Sequence, residues 1–244
     1  MAGADLWAVA GSKIYIGPTM ATQLADFVAS DFDSVVWTEI DGWQTMGAIG
    51  DTAEAITTSL INRGRDVKQK GTWNAGSMEN TFALVPEDAG QAAMIAASKT
   101  RLNYPFKIVY SDLPAVRTAT VTISNATPGV ITWTAHGLDV NAGVVFTTSG
   151  GLPTGLTAGT TYYVKTVLTD NTFTVSATKG GAAIDTSSAG SGTHTATTVP
   201  SGTENYFVGL VMTAQRAGGE ANTVQTISGT VEINSNIVEV AALG

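Results

Sequence analysis

One stretch of 82 residues, 118–199, carries five charged side chains and 22 threonines. The other 162 residues carry 27 of the 32 charges. Threonine suits solvent-facing strand positions, because its branched β-carbon favours extended backbone. Segments 120–124, 130–133, 161–164 and 172–176 alternate apolar and polar residues at period two. Turn residues stand between them: Pro128-Gly129, the run 149–153, Asp170-Asn171 and Gly180-Gly181. That spacing predicts a small all-β sandwich or barrel. Turn and linker chemistry marks its edges at 111–114 and 199–202. The strand-like runs 106–110 and 205–212 lie on either side. The stretch therefore reads as a domain inserted into a host, residues 113–202 with linkers inside a discontinuous domain of 1–112 and 203–244. A surface loop tolerates such an insertion because closing a longer loop costs little extra entropy.

The host reads as mainly β with one helix. Pro86, Glu87 and Asp88 form an expected first turn, with the acids at the positive end of the helix dipole. Ala89, Ala93, Ala96 and Ala97 give a small-residue face suited to close packing on a sheet, and Lys99 and Arg101 close the last turn. A second helix is expected near 22–29, where Leu24, Phe27 and Val28 share a face. Strands are expected at 13–16, 34–40, 43–46, 67–73 and 77–84, with a C-terminal pair at 223–228 and 230–234. Residues 46–65, rich in Thr, Ala and Gly, show no clear period. A loop of that length is functional or waits for a partner.

The net charge is −8 and there is no cysteine. This excludes a disulfide framework, a thiol nucleophile and a cysteine-ligated metal. The acidic balance argues against a nucleic-acid binder but not against a protein that DNA merely passes. Residues 1–7 lack a basic n-region and an apolar h-region, so the expectation is synthesis in a cytoplasm without a secretory signal. No apolar run approaches the roughly 20 residues of a spanning helix, so no membrane insertion is expected.

Catalytic and ligand patterns are sparse. His136 and His194 have no acid at ligand spacing and read as turn or surface histidines. Asp31 and Asp33 could offer oxygen to a hard cation but lack the further acids of a calcium loop and read as a solvated turn. The two glycines of Gly71-Thr-Trp-Asn-Ala-Gly76 lack a P-loop lysine and read as a bulge or bend. The basic cluster of Arg63, Arg65, Lys68 and Lys70 is interrupted by Asp66, with Trp73 as its nearby aromatic. It reads as a solvated strand face or protein contact rather than a nucleic-acid site. Trp37, Trp43 and Trp73 read as core or interface residues before a sugar-stacking platform. No catalytic residue, cofactor or metal site is assigned, and the chain is expected not to be an enzyme.

The order Trp37-Thr-Glu-Ile-Asp-Gly-Trp43, Lys68-Gln-Lys-Gly-Thr-Trp-Asn-Ala-Gly76, Pro86-Glu-Asp-Ala-Gly-Gln91, Asn103-Tyr-Pro-Phe-Lys-Ile-Val-Tyr110 resembles the major tail tube proteins of long-tailed, siphovirus-like bacteriophages. The run 206–212 and the C-terminal strands fit the same scheme, so the likeness covers about 1–112 and 203–244. Within the insert, 131–138, 151–164 and 171–177 are similar to a small β-module that recurs in phage structural proteins. The resemblance implies a β-sandwich or barrel of the tail-tube type with one flanking α-helix, plus the inserted all-β domain. It implies hexameric rings whose sheets pair into an inner barrel, stacked as a conduit for DNA from capsid to host. Implied partners are further copies of the chain, the tape measure, tail terminator and distal tail proteins, and DNA that passes without specific binding. The implied location is the virion tail.

From the resemblance, lumen-facing acids are expected among Glu39, Asp41, Glu79, Glu220 and Glu232. An inter-ring or inter-subunit arm is expected around Met46, Ile49, Asp51, Ile56, Leu60, Arg63 and Arg65. The insert is expected outside the tube, with weak contacts to cell-surface glycans. The alternative is a phage or bacterial adhesin or carbohydrate-binding β-domain, from which the inserted rather than tandem arrangement distinguishes it. A glycan-active enzyme would need paired carboxylates in a cleft, and the sequence offers no such pair.

Overall fold

A computed structural model of the chain describes residues 6–22, 25–188 and 190–244. Among them, 16 strands and one α-helix follow in chain order. They are β1 (Lys13–Ile16), β2 (Thr38–Glu39), β3 (Trp43–Thr45), β4 (Thr52–Thr58), β5 (Val67–Asn74), β6 (Ser77–Ala83), α1 (Ala89–Ala97) and β7 (Tyr104–Val109). Next come β8 (Thr118–Ile123), β9 (Ile131–Thr132), β10 (Gly143–Thr148), β11 (Thr161–Thr169), β12 (Thr172–Ser176) and β13 (His194–Val199). The chain ends with β14 (Glu204–Ala217), β15 (Thr226–Ile233) and β16 (Val238–Val240). The fold is mainly β, with sheets and a closed barrel. Two compact units share the chain: 12–108 with 205–239, and 109–204 with 1–11 and 240–244.

In the first unit the main sheet runs β2-β1-β7-β14-β15-β6-β3, with β16 paired to β14. Strand alternation gives the sheet two faces. Met78, Asn80 and Phe82 of β6 oppose Val231, Gly229 and Ile227 of β15, and all six are buried. This face takes the helix, because a side chain at Gly229 would meet the Met94 thioether. Helix α1 begins at Asp88, which caps it by accepting the Gln91 N–H at 2.6 Å. Pro86 and Glu87 therefore lie ahead of the helix, and Glu87 has φ +68°. The last turn holds no basic residue, since the helix ends before Lys99 and Arg101. Its buried face is Gly90, Gln91, Met94 and Ala97, whereas Ala89 and Ala96 are exposed. The close approach is made by Gly90 instead, where a β-carbon would collide with the backbone oxygen of Glu39.

An aromatic patch covers part of the opposite face. Phe32 stacks on Tyr206 at 5.1 Å and reaches Trp37 at 6.4 Å, and Phe27 adjoins Phe32 at 5.5 Å. No helix forms over 25–28: Asn236 accepts the Phe27 N–H at 2.7 Å and donates to the Phe27 carbonyl at 3.0 Å. One 3-10 turn, Ala29–Phe32, follows. Leu24 of the expected helix lies outside the described residues. Residues 34–40 do not form a full strand either, since only Thr38–Glu39 pairs with β1. The expected C-terminal pair is one continuous strand, β15, with Gly229 inside it.

The second unit holds a closed six-stranded barrel, ordered β10-β11-β12-β9-β8-β13, with β10 and β13 pairing to complete it. Its core includes Ile131, Val144, Phe146, Val164, Phe173 and Leu243. Both histidines are buried, contrary to a surface reading. His136 Nδ1 accepts the Leu138 N–H at 2.9 Å, so its Nε2–H donates to the Thr169 carbonyl at 3.0 Å. His194 Nδ1 pairs with the Thr148 hydroxyl at 2.9 Å.

Candidate functional site

Among the described residues, two features of the sheet unit have no covering element: part of one sheet face, and a hairpin that forms a two-stranded sheet of its own. On that face Ser77, Glu79 and Thr81 of β6 oppose Glu232, Thr230 and Ser228 of β15. Thr213 and Gln215 of β14 continue the row, paired with Thr230 and Ser228. The surface is thus made of hydroxyls, amides and two carboxylates. Ser77 donates its hydroxyl to Glu232, while Glu79 is exposed.

The other three acids sit differently. Glu39 opposes Tyr15 across β1 and β2 and pairs with Lys13 at 3.0 Å. The hydrogen bond that the Lys13 ammonium donates to the Glu39 carboxylate raises its pKa above the ordinary value, with the nearby Tyr15 adding to the effect. Asp41 occupies the turn before β3, its carboxylate accepting the Gly42 N–H at 2.6 Å. Glu220 lies in the loop after β14, where its carbonyl accepts from the Thr223 hydroxyl at 2.8 Å. The fold therefore joins Glu79 and Glu232 on one patch and leaves Asp41 and Glu220 in turns.

The stretch 46–65 is not a structureless loop. Thr52–Thr58 is a strand that pairs with Val67–Asn74 in a two-stranded sheet of its own. Residues 71 and 72 face a single residue, Glu54, where the register shifts. The Gly71–Gly76 segment thus begins with a bulge. Asp51 precedes this arm, Ile56 lies within it, and Leu60, Arg63 and Arg65 belong to its exposed turn. Met46 and Ile49 are half-buried and lie ahead of it. Asn80 fixes that lead-in, its side-chain oxygen accepting the Trp43 indole N–H at 3.1 Å and the Gly47 N–H at 3.3 Å.

Among the described residues no strand continues this hairpin, and its apolar side chains are exposed. Ile56 is 51% exposed, Ile61 fully so, and Trp73 63%. Lys70 Nζ sits 4.8 Å from the Trp73 ring centroid. The three tryptophans form no common platform: Trp37 lies in the aromatic patch, Trp43 opposes Phe82 on the helix face, and Trp73 is on the arm. Asp31 accepts the Val28 N–H at 2.9 Å and so closes its own turn.

A cleft of about 530 Å³ opens at the base of the arm. Asp26, Asp51, Trp73, Asn74 and Asn234 line it. These residues are up to 208 positions apart, so no local motif could announce the cleft, and only the topology assembles it.

No family model matches the chain, and no curated protein does. Among solved structures, the Phage phi92 endosialidase is similar over 77% of this chain and 30% of its own, at 13% identity and a TM-score of 0.24. The chain thus spans under a third of that protein's length.

Proposed function

We propose that the chain is a structural subunit of a bacteriophage tail that assembles into stacked hexameric rings, the tail tube. The observation that carries the reading is the pairing of two surfaces in one unit. One is a sheet face of hydroxyls and carboxylates, and the other is a paired hairpin whose apolar side chains find no cover. Exposed apolar patches on an ordered arm mark an interaction surface. A lumen lined by Glu79 and Glu232 repels phosphate and lets DNA slide. On this reading the subunit has no catalytic task, its partners are further copies and other tail proteins, and its place is the virion.

Negative-stain microscopy and sedimentation of the purified protein over a concentration series test this. Rings or hollow tubes support the proposal. A protein that stays monomeric at its highest soluble concentration overturns it, and glycan binding by that monomer would favour an adhesin.

A further inference from the structure

Among the barrel strands only β11 carries a charged side chain, Lys165, and its ammonium donates to the Gly180 carbonyl at 2.9 Å. A solvated protein surface normally has about a quarter or more of its residues charged, so the outside of this barrel is chemically unusual. Strand alternation sends Val121, Val144, Phe146 and Ala196 into the core and their neighbours outward. The registers align those neighbours in rows. Thr118, Thr197, Val145 and Thr161 stand opposite one another across β8, β13, β10 and β11. Thr120, Thr195 and Thr147 form the next row. Thr118, Thr120 and Thr147 are exposed, and the Thr118 and Thr197 hydroxyls meet at 3.1 Å. Where β13 begins, a recess of about 360 Å³ adjoins the second row, with Thr120, Thr122, Gly192 and Thr193 in its lining.

We propose that this face binds a neutral polysaccharide, with the recess as its deepest sugar subsite. Adjacent strands stand about 4.8 Å apart, and outward residues along one strand about 6.7 Å apart. The threonines therefore form a grid that offers a methyl and a hydroxyl at each point. A pyranose ring has the matching features, C–H faces and a rim of hydroxyls. Hydroxyls on both sides can donate and accept. Other partners call for other residues. An acidic glycan or a nucleic acid selects Lys and Arg. The centre of a protein interface selects aromatics, Met and Arg. A membrane surface selects a basic amphipathic face. The two rows hold none of these side chains. A polysaccharide repeats as the grid does, so contacts that are weak singly act together. The face belongs to the barrel unit, whereas the tail-tube reading rests on the sheet unit, so each can fail without the other.

The test uses the full chain, at a concentration where sedimentation shows one species. Native gels cast with a soluble neutral glucan, mannan or galactan measure binding as retardation against a polymer-free gel. Wild type should be retarded by at least one of these polymers. T120V/T122V/T147V keeps the shape and strand preference of the face and removes its hydroxyls. It should need about tenfold more polymer for the same retardation. T166V, exposed on β11 outside the two rows, should bind as wild type does. Equal melting curves for the variants exclude misfolding. Absence of retardation in every neutral gel overturns the proposal, as does binding by T120V/T122V/T147V that equals wild type. Equal retardation by the anionic polymer alginate overturns the choice of a neutral ligand.

Discussion

Asp112 grips Thr203 with both carboxylate oxygens, one accepting the backbone N–H at 2.7 Å and the other the hydroxyl at 2.6 Å. The two residues stand on the outgoing and returning linkers of the insert, 91 positions apart. Nearby, the Tyr110 N–H donates to the Thr203 carbonyl at 2.9 Å. Burial alone would raise the Asp112 carboxyl. The hydrogen bonds from the Thr203 hydroxyl, the Thr203 N–H and its own N–H outweigh that and hold it below the ordinary 3.8.

The sign of the resulting pH effect follows. A carboxyl depressed in the folded state stabilises above its unfolded value and loses that contribution as pH falls from about 3.8 through the folded value. Asp112→Asn should lower stability by about 1–2 kcal/mol at neutral pH. The gap to wild type should shrink as pH drops below that point. Urea midpoints at pH 7 and pH 3 measure both, and a gap that stays constant would refute the assignment.

His136 serves two backbone groups at once, as acceptor for Leu138 and donor to Thr169. Its ring also meets Phe173 edge-on at 5.0 Å. His136→Phe keeps the aromatic volume but leaves the buried Leu138 N–H without its acceptor, while the carbonyl of the exposed Thr169 can turn to water. The cost should be about 1–3 kcal/mol, that of one unsatisfied buried group. Thermal melting of the barrel reads it. A loss under half that size would mean that water reaches the site.

How much of this was legible in the sequence depends on burial. Where one strand face is covered, as in β6, the alternation of Met78, Asn80 and Phe82 with Ser77, Glu79 and Thr81 is plain. Strand β4 buries neither face, so Thr52–Thr58 shows no period and reads as loop. The helix is legible in the sequence, but it starts later than Pro86 suggests, because a turn at Glu87 separates Pro86 from the cap. Gly229 looked like a break between strands, whereas the space it leaves belongs to Met94. Strands β10 and β13 show no readable alternation: Val144 to Phe146 is one apolar run and 194–198 is mostly polar. The hairpin of β4 and β5 begins inside the stretch that lacks a period. The cleft residues share no sequence signal.

Gly90 makes the tightest helix–sheet approach. Gly90→Ala drives a methyl into the Glu39 carbonyl, which packing cannot absorb without moving β2. We expect a loss of about 3 kcal/mol, despite alanine's better helix propensity. Ala96→Ser, on the exposed side of the same helix, should stay within ~0.5 kcal/mol. Equal melting points for the two variants would contradict the packing described.

Glu79 and Glu232 supply the carboxylates of the open face. Lysine at both positions leaves the isolated subunit within ~1 kcal/mol of wild type, because neither side chain is buried. Assembled tubes should differ sharply. Tubes of E79K/E232K should retain labelled DNA at low salt and release it as salt rises, and wild-type tubes should retain none. Retention equal to wild type would place these residues away from the DNA path.

The Tyr110–Thr203 hydrogen bond makes the ends of the insertion neighbours, and β7 and β14 are adjacent in the sheet. A short glycine-rich turn can therefore replace 111–202. The sheet unit keeps its own core, including Phe82, Phe106 and Phe207, none of which belongs to the barrel. The shortened chain should unfold in one cooperative transition. The C-terminal segment should behave otherwise. Leu243 belongs to the barrel core, and its backbone pairs with Ser201 at 2.8 and 2.9 Å. Without the insert, amides after 240 should exchange freely while those of β15 stay protected. Loss of protection in β15 would show that the sheet unit depends on the barrel for its stability.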